Sequence, residues 1–301
     1  MEDYAVSRYL EAGRIATTVL KRVSGYVYEG VPVIELCERV ERMIREHGAQ
    51  PAFPCNVSIN HVAAHYSSPA GDSLVIPKGS VVKVDVGVHV EGYIGDAAIT
   101  ISLNPAYHSL VTAAEKALKN AIALIKRGVT TKVLGRAIEQ TIKQYGYKPV
   151  ENLCGHKMAY YSLHEGVSVP NVEPLVGHQL KAGEVYAIEP FATDGAGVVK
   201  DSDKAFIYRY VAKKGIRGEI EKRLIDLVWD KYRTLPFSER WFTSFQLQEL
   251  RSALSSLVSK GSLHAYPVLV EKAGGMVSQS ECTVIVTEDG CIVTAGIEGY
   301  E

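Results

Sequence analysis

Five side chains in this sequence are of the types that hold divalent metal ions, and each lies in a stretch too apolar to solvate it: Asp85, Asp96, His156, Glu189 and Glu281. Four carboxylates and one imidazole make a hard, oxygen-rich set, enough for two divalent ions. Ions about 3.5–4 Å apart and bridged by carboxylates leave room for a water or hydroxide between them; such a pair yields a nucleophile near neutral pH and polarises a carbonyl. Metal-assisted hydrolysis is the reaction class the set fits. Each residue alone has a plainer explanation. Asp85 could pair with Lys83 or Arg14, Asp96 could end a strand beside a glycine, and His156 could be a hydrogen-bonded loop histidine after Cys154-Gly155. The five together resist that explanation, because burying them without cations costs several kcal/mol per ion.

The sharpest signal is residues 81–100, VVKVDVGVHVEGYIGDAAIT. At period two, Val82, Val84, Val86, Val88 and Val90 share a face that must be buried, and Asp85 lies on the other face with Lys83, Gly87 and His89. Glu91-Gly92 is a turn signal, after which Ile94, Ala97, Ala98 and Ile99 bring the chain back. The spacing predicts a hairpin with Asp96 at about the level of Asp85. Opposed residues in a hairpin have Cβ atoms about 4.5–5.5 Å apart. Either one aspartate is protonated or a cation sits between them. His65 and His164, in apolar loops flanking these segments, are candidates for the remaining catalytic roles. From spacing alone, a packed histidine with one backbone partner explains each equally well. His61, His89 and His178 read as ordinary histidines.

The elements that must position these residues follow from periodicity. Residues 3–24 and 33–47 read as amphipathic helices, the first with Val6, Leu10, Gly13, Thr17 and Leu20 on one stripe. A loop-like stretch at 51–72, punctuated by Pro51, Pro54, Pro69 and Gly71, is too apolar to be disordered and carries His61 and His65. Two more helices are predicted at 108–126 and 131–145, then a histidine-bearing stretch at 151–170 and a strand with Glu189 embedded in it. The segments 77–85 and 181–189 resemble each other: in both, a Lys-then-Gly turn launches a strand whose sixth residue after the glycine is acidic. Residues 213–262 read as a helical insertion in which nothing suggests chemistry. Strands at 276–288 and 291–295 close the chain, the first holding Glu281. The class is α+β.

Composition narrows the function. A chain of 301 residues can bury a large core in one or two domains. With 47% hydrophobic and 22% charged residues and a formal net charge of −1, it carries no field suited to nucleic acid or a membrane surface. The first twenty residues interleave charges, which excludes a signal peptide, and no uncharged apolar run approaches a membrane span. The five cysteines are odd in number and form no CxxC pair, as expected of reduced thiols in a cytoplasmic protein.

The order Asp85-x10-Asp96, Gly155-His156, Ile188-Glu189-Pro190-Phe191 and Glu281 resembles the five-ligand signature of the creatinase/aminopeptidase superfamily, peptidase family M24. Within it the chain is similar to type 2 methionine aminopeptidases of the archaeal form. The likeness runs end to end through Ala52-Phe53-Pro54, Ala63-Ala64-His65-Tyr66 and His164, eight residues after His156. It implies the pita-bread fold: a curved antiparallel sheet flanked by helices, with an internal pseudo-twofold repeat and a helical, winged-helix-like insertion at about 205–270 in a catalytic domain spanning 1–301. It also implies two divalent ions (cobalt, manganese, iron or zinc) and removal of the initiator methionine from nascent chains when the next residue is small. By position, Asp85 chelates one ion, His156 and Glu189 hold the other, and Asp96 and Glu281 bridge. Glu189 doubles as base for the bridging water, His65 contacts the scissile amide and the nascent amine, and His164 hydrogen-bonds the carbonyl oxygen. Phe53, Leu163 and Tyr266 match the methionine pocket. Nascent N-termini are the implied partners, with the ribosome a further candidate; nucleic acid and membrane are not required, and a monomer is expected.

The sequence departs from the pattern in places. Leu163 stands where relatives often have Ile, Ile207 where animal enzymes have a pocket histidine, and Cys154-Gly155-His156 replaces Asn-Gly-His. The charged N-terminal extension of eukaryotic members is absent. Two rival readings share the fold: an Xaa-Pro dipeptidase or aminopeptidase, which carries a substantial extra N-terminal domain, and a non-catalytic binding protein, which typically loses metal ligands.

Overall fold

The valine stripe becomes one side of a ten-residue-per-strand hairpin, Val81–Val90 against Tyr93–Ser102. Its turn residues Glu91 and Gly92 both have positive φ, 53° and 91°, the type I′ geometry that matches the twist of the flanking strands. Val82, Val84, Val86 and Val88 are completely buried in a core formed with helices α1 (Asp3–Val23) and α2 (Val33–Glu46). Small residues on the α1 stripe let it sit directly on the sheet. A Cβ on Gly13 would lie 1.8 Å from the carbonyl oxygen of Thr294, so no other residue fits there without displacing backbone. The computed structural model describes residues 1–296.

The second half repeats this plan. Helices α3 (His108–Ile122) and α4 (Thr131–Gln144) cover Ile188, Cys282, Val284 and Val286. Those residues belong to or border an antiparallel five-stranded sheet in the order Cys291–Ala295, Cys282–Val286, Val185–Ile188, Cys154–Met158, Ser168–Pro170. The two launch turns correspond in detail: Gly79 and Gly183 both adopt positive φ, 67° and 84°, a conformation open to glycine at little cost. The fold is thus α+β, with curled antiparallel strands flanked by helices. The halves meet where Ala98 and Glu281 form an antiparallel bridge, the Glu281 N–H donating to the Ala98 carbonyl at 3.0 Å.

Strands Val199–Tyr210 and Leu263–Glu271 pair with each other, and the second also pairs with Val62–Ala64. Helices α5 (Glu219–Tyr232) and α6 (Leu247–Ser259) pack on them around Leu224, Val228, Phe237, Leu254 and Leu257. A buried ion pair ties this unit to the hairpin half: Arg240 grips Glu41 with two nitrogens, at 2.7 and 3.0 Å, while its Nε donates to the Ser68 carbonyl at 2.6 Å. Trp241 Nε1 also donates to Glu41, at 2.7 Å.

Three predicted spans are shorter than periodicity suggests. Helix α3 ends at Ile122, and Leu124 and Ile125 continue in tighter i→i−3 turns that still bury Ile125. The acidic strand near 185 stops before Glu189, because Pro190 has no N–H for a ladder, and resumes as Phe191–Thr193. The strand near 276 divides into Val277–Gln279 and Cys282–Val286, with Glu281 at the break. No helix among the described residues is long and apolar enough to cross a membrane.

Candidate metal centre

Register places the two hairpin aspartates. The two-residue turn sets Val90 beside Tyr93, so Asp85 stands opposite Ala98 and Asp96 opposite Gly87. They are diagonal neighbours on one face, not the opposed pair expected from the sequence, and diagonal positions lie about 7–8 Å apart. The glycine between them has a use: a Cβ on Gly87 would come 2.2 Å from the Phe53 ring. Phe53 therefore reaches the face that both aspartates share.

The second half supplies the rest. His156, on Cys154–Met158, turns Nε2 to within 3.7 Å of Asp96 Oδ2 and 3.5 Å of Glu189 Oε1. Asp96, His156 and Glu281 each offer a ligand atom within 4.8 Å of the other two. All five predicted ligands line one cavity of about 70 Å³, with His65 and His164 on its wall. That is room for a few waters or ions. Glu189 and Glu281 reach it from the two strand breaks, where the chain is free to turn a carboxylate inward.

Electrostatics shows what the cavity lacks. Burial lifts Asp85 to about 7, with the Gln279 side chain opposing the shift. Asp96 is pushed well above the carboxylate range by burial and then by Asp85. Burial, Asp96 and Asp85 raise Glu189; burial, Asp96 and Glu189 raise Glu281. His156 is driven well below its usual value by burial and by His164, its ring centroid 4.3 Å away. A neutral imidazole among carboxylates that cannot all ionise is a site short of positive charge. Among the described residues, Asp85 Oδ1, Asp96 Oδ1 and His156 Nδ1 are buried without a hydrogen-bond partner. The donor set, the surplus of carboxylates and the unpartnered oxygens fit divalent cations.

The plainer explanations for Asp85 do not hold. Lys83 is buried, but its Nζ donates to the carbonyls of Asn60 and Val277 at 3.0 and 2.8 Å, and burial pushes its ammonium down to about 7. Arg14 is exposed on α1. All five cysteines are free, and the part-exposed Cys154 thiol adds to the pressure that raises Glu189.

The two histidines are held differently. His65 has φ of 65°, a left-handed conformation costly for any side chain but glycine and typical of functional positions. Its Nδ1 faces the Pro267 carbonyl at 3.2 Å; Nδ1 must carry the hydrogen there, which leaves the Nε2 lone pair free. Burial holds His65 below its usual pKa. His164 stands at the rim with an edge open to solvent, pushed down by the surrounding protein and then by His65 and Arg209. Tyr266 packs between them, 5.5 Å from the His65 ring and 6.2 Å from that of His164.

Phe53, Leu163 and Tyr266 line the cavity, and Ile207 joins them. Several contributors were not anticipated. Asn56 stands opposite Asp85 in the ladder, Gln279 donates to Glu281 at 3.1 Å, and Thr283 Oγ1 accepts from the Asp96 N–H at 2.8 Å. A polar run, Ser278-Gln279-Ser280, where a strand should alternate, was the available signal for Gln279. Pro236 lines the cavity from within the stretch read as free of chemistry; only tertiary packing brings it there.

Comparison with known proteins gives the arrangement its context. Residues 7–222 match the model of metallopeptidase family M24. The chain is 44% identical over 292 residues to the methionine aminopeptidase of Methanothermobacter thermautotrophicus, spanning 96% of this chain and 98% of the relative. A thermophilic Arx1 superposes with a TM-score of 0.87 at 18% identity, over 100% of this chain and 93% of that one. The methionine aminopeptidase of Thermotoga maritima superposes with a TM-score of 0.69 at 21% identity, over 98% of both chains. At those identities the two structures speak for the fold alone.

Proposed function

The chain belongs to metallopeptidase family M24, and on that premise we propose that it is a methionine aminopeptidase removing the initiator methionine from nascent proteins whose next residue is small. The observation that carries the reading is one cavity in which a carboxylate–histidine floor meets an apolar wall of Phe53, Leu163, Ile207 and Tyr266. A linear thioether adapts well to such aromatic and aliphatic surfaces.

Asp85 would hold one ion, His156 and Glu189 a second, with Asp96 and Glu281 bridging. Bound there, two divalent ions (cobalt, manganese, iron or zinc) would polarise the scissile carbonyl and make water a nucleophile near neutral pH. Glu189 takes the proton of the attacking water on a carboxylate oxygen and delivers it to the leaving amine. His65, its Nδ1 fixed on Pro267, presents Nε2 toward the scissile amide and the nascent amine. His164 donates to the carbonyl oxygen as charge develops on it; losing one such donor typically costs a factor of about 10²–10³ in kcat. Residues 205–270 act as a helical insertion that closes the methionine side of the pocket through Ile207, Pro236 and Tyr266.

The test compares release of methionine from Met-Ala-Ser with cleavage of an Xaa-Pro dipeptide by protein reconstituted with each candidate ion. Preference for Met-Ala-Ser, with about two ions bound per chain, supports the reading. Preference for the dipeptide would overturn it, and so would metal-loaded protein that hydrolyses neither.

A further inference from the structure

Beyond the pocket, strand pairing carries the same sheet face outward. Ile207 stands opposite Tyr266, and Arg209 opposite His264. Opposed residues share a face and residues two apart repeat it, so these four side chains form two rungs about 6.5–7 Å apart. The inner rung, Ile207 and Tyr266, lines the cavity. Exposure rises along the path: Ile207 is buried, Tyr266 and Arg209 are half-buried, and His264 is exposed.

Arg209 is fixed on this path without a counter-charge. Its Nε donates to Tyr266 Oη at 3.1 Å and its Nη1 to the Tyr210 carbonyl at 3.5 Å. Among the described residues no carboxylate pairs with it. Its charge reaches the surrounding rings: after burial, it is among the causes that hold His164 and His264 below their usual values. The cleft is therefore polarised, with four carboxylates on its floor and an unpaired guanidinium at its rim.

We propose that Arg209, with His264 beside it, is a specificity determinant for an anionic group carried about two residues beyond the scissile bond. An extended peptide advances about 3.3–3.6 Å per residue, so two residues span the distance between the rungs. In a nascent chain the anion is an Asp or Glu side chain at the third position; in a free tripeptide it is the terminal carboxylate. A guanidinium recognises either in the same bidentate way. The inference rests on the aminopeptidase reading of the site.

The experiment measures kcat/KM for three peptides: Met-Ala-Ser as free acid, Met-Ala-Ser amide and Met-Ala-Asp amide. The expected result is that an anionic peptide exceeds the neutral amide by about fivefold, mainly through KM, as for a partly exposed charge-assisted bond. The advantage shrinks as ionic strength rises. In Arg209→Gln the ratio falls to near one, and Arg209→Lys restores part of it, which a purely structural role for Arg209 would not do. Advantage for the free acid alone assigns the terminal carboxylate as ligand; advantage for the Asp amide alone assigns the side chain. Equal kcat/KM for all three in the unaltered protein, or a ratio unchanged in Arg209→Gln, overturns the inference. Absence of methionine release from any of them overturns the aminopeptidase reading first, and this inference with it.

Discussion

His65 is the residue at which conformation and chemistry are most closely joined. Its backbone sits at φ 65° so that its ring can take the Pro267 carbonyl on one nitrogen and offer the other to the cavity. The left-handed region costs a non-glycine residue about 1–2 kcal/mol. His65→Gly should therefore melt no lower than His65→Ala, with methionine release lost in both; a glycine variant clearly less stable than the alanine one would show that the backbone carries no such strain. At this scale the sequence was legible in proportion to cost. Buried charges are expensive, so Asp85, Asp96, His156, Glu189 and Glu281 stand out against apolar neighbours. Asn56, Gln279 and Thr283 are neutral hydrogen-bonding groups that any strand can carry; only the polar run around Gln279 sets one of them apart. The positive φ of His65 also has no sequence signal, since nothing about a histidine in an Ala-rich stretch asks for it.

Elements follow their periodicity closely and their tertiary environment less so. The valine stripe, the Glu91-Gly92 turn and the two Lys-then-Gly launches are local, and local sequence encodes them. The relation of Asp85 to Asp96 depends on counting register from a two-residue turn, and a shift of two residues turns a diagonal pair into an opposed one. Breaks at Glu189 and Glu281 serve the site, and a reading that prizes continuous strands misses them. The end of strand Leu263–Glu271 makes a testable case. Glu271 is buried and accepts from the N–H groups of Ala196, Gly197, Ala273 and Gly275, at 3.1 Å, 2.7 Å and 3.0 Å for the last three. Burial alone would raise its pKa, but these four donors outweigh burial and hold it below the usual value. A depressed folded pKa means the unfolded chain takes up the proton first as pH falls. The stabilisation is complete above the ordinary carboxylate pKa of about 4.3 and is lost as pH drops through the folded value. Glu271→Gln should accordingly melt lower than the unaltered protein by a constant margin from pH 7 to about 5, with the margin narrowing below about pH 4. A margin that widens on acidification would contradict the role assigned to those donors.

In the whole molecule, Asp85 and Asp96 belong to the hairpin half, and His156, Glu189 and Glu281 to the other. Ions held among them would bind the folded chain and not the unfolded one, so stability should rise with ion concentration, by about 2.7 kcal/mol at a hundredfold excess over Kd. Thermal melts with manganese or cobalt, repeated after chelation, measure this; an Asp96→Ala protein should show a much smaller rise, and an equal rise in both proteins would place the ions elsewhere. The joining of the halves could not be read from sequence, because Ala98 and Glu281 share no pattern and meet only once both sheets have formed. That same bridge orders events during synthesis. A growing chain produces residue 96 before residue 281, and both helices of the insertion are made between them. Contacts so remote in sequence close slowly, and until they close the carboxylate set is one member short. A chain that stops short of Glu281 therefore lacks one of the five proposed ligands, whatever else of the fold it has already formed.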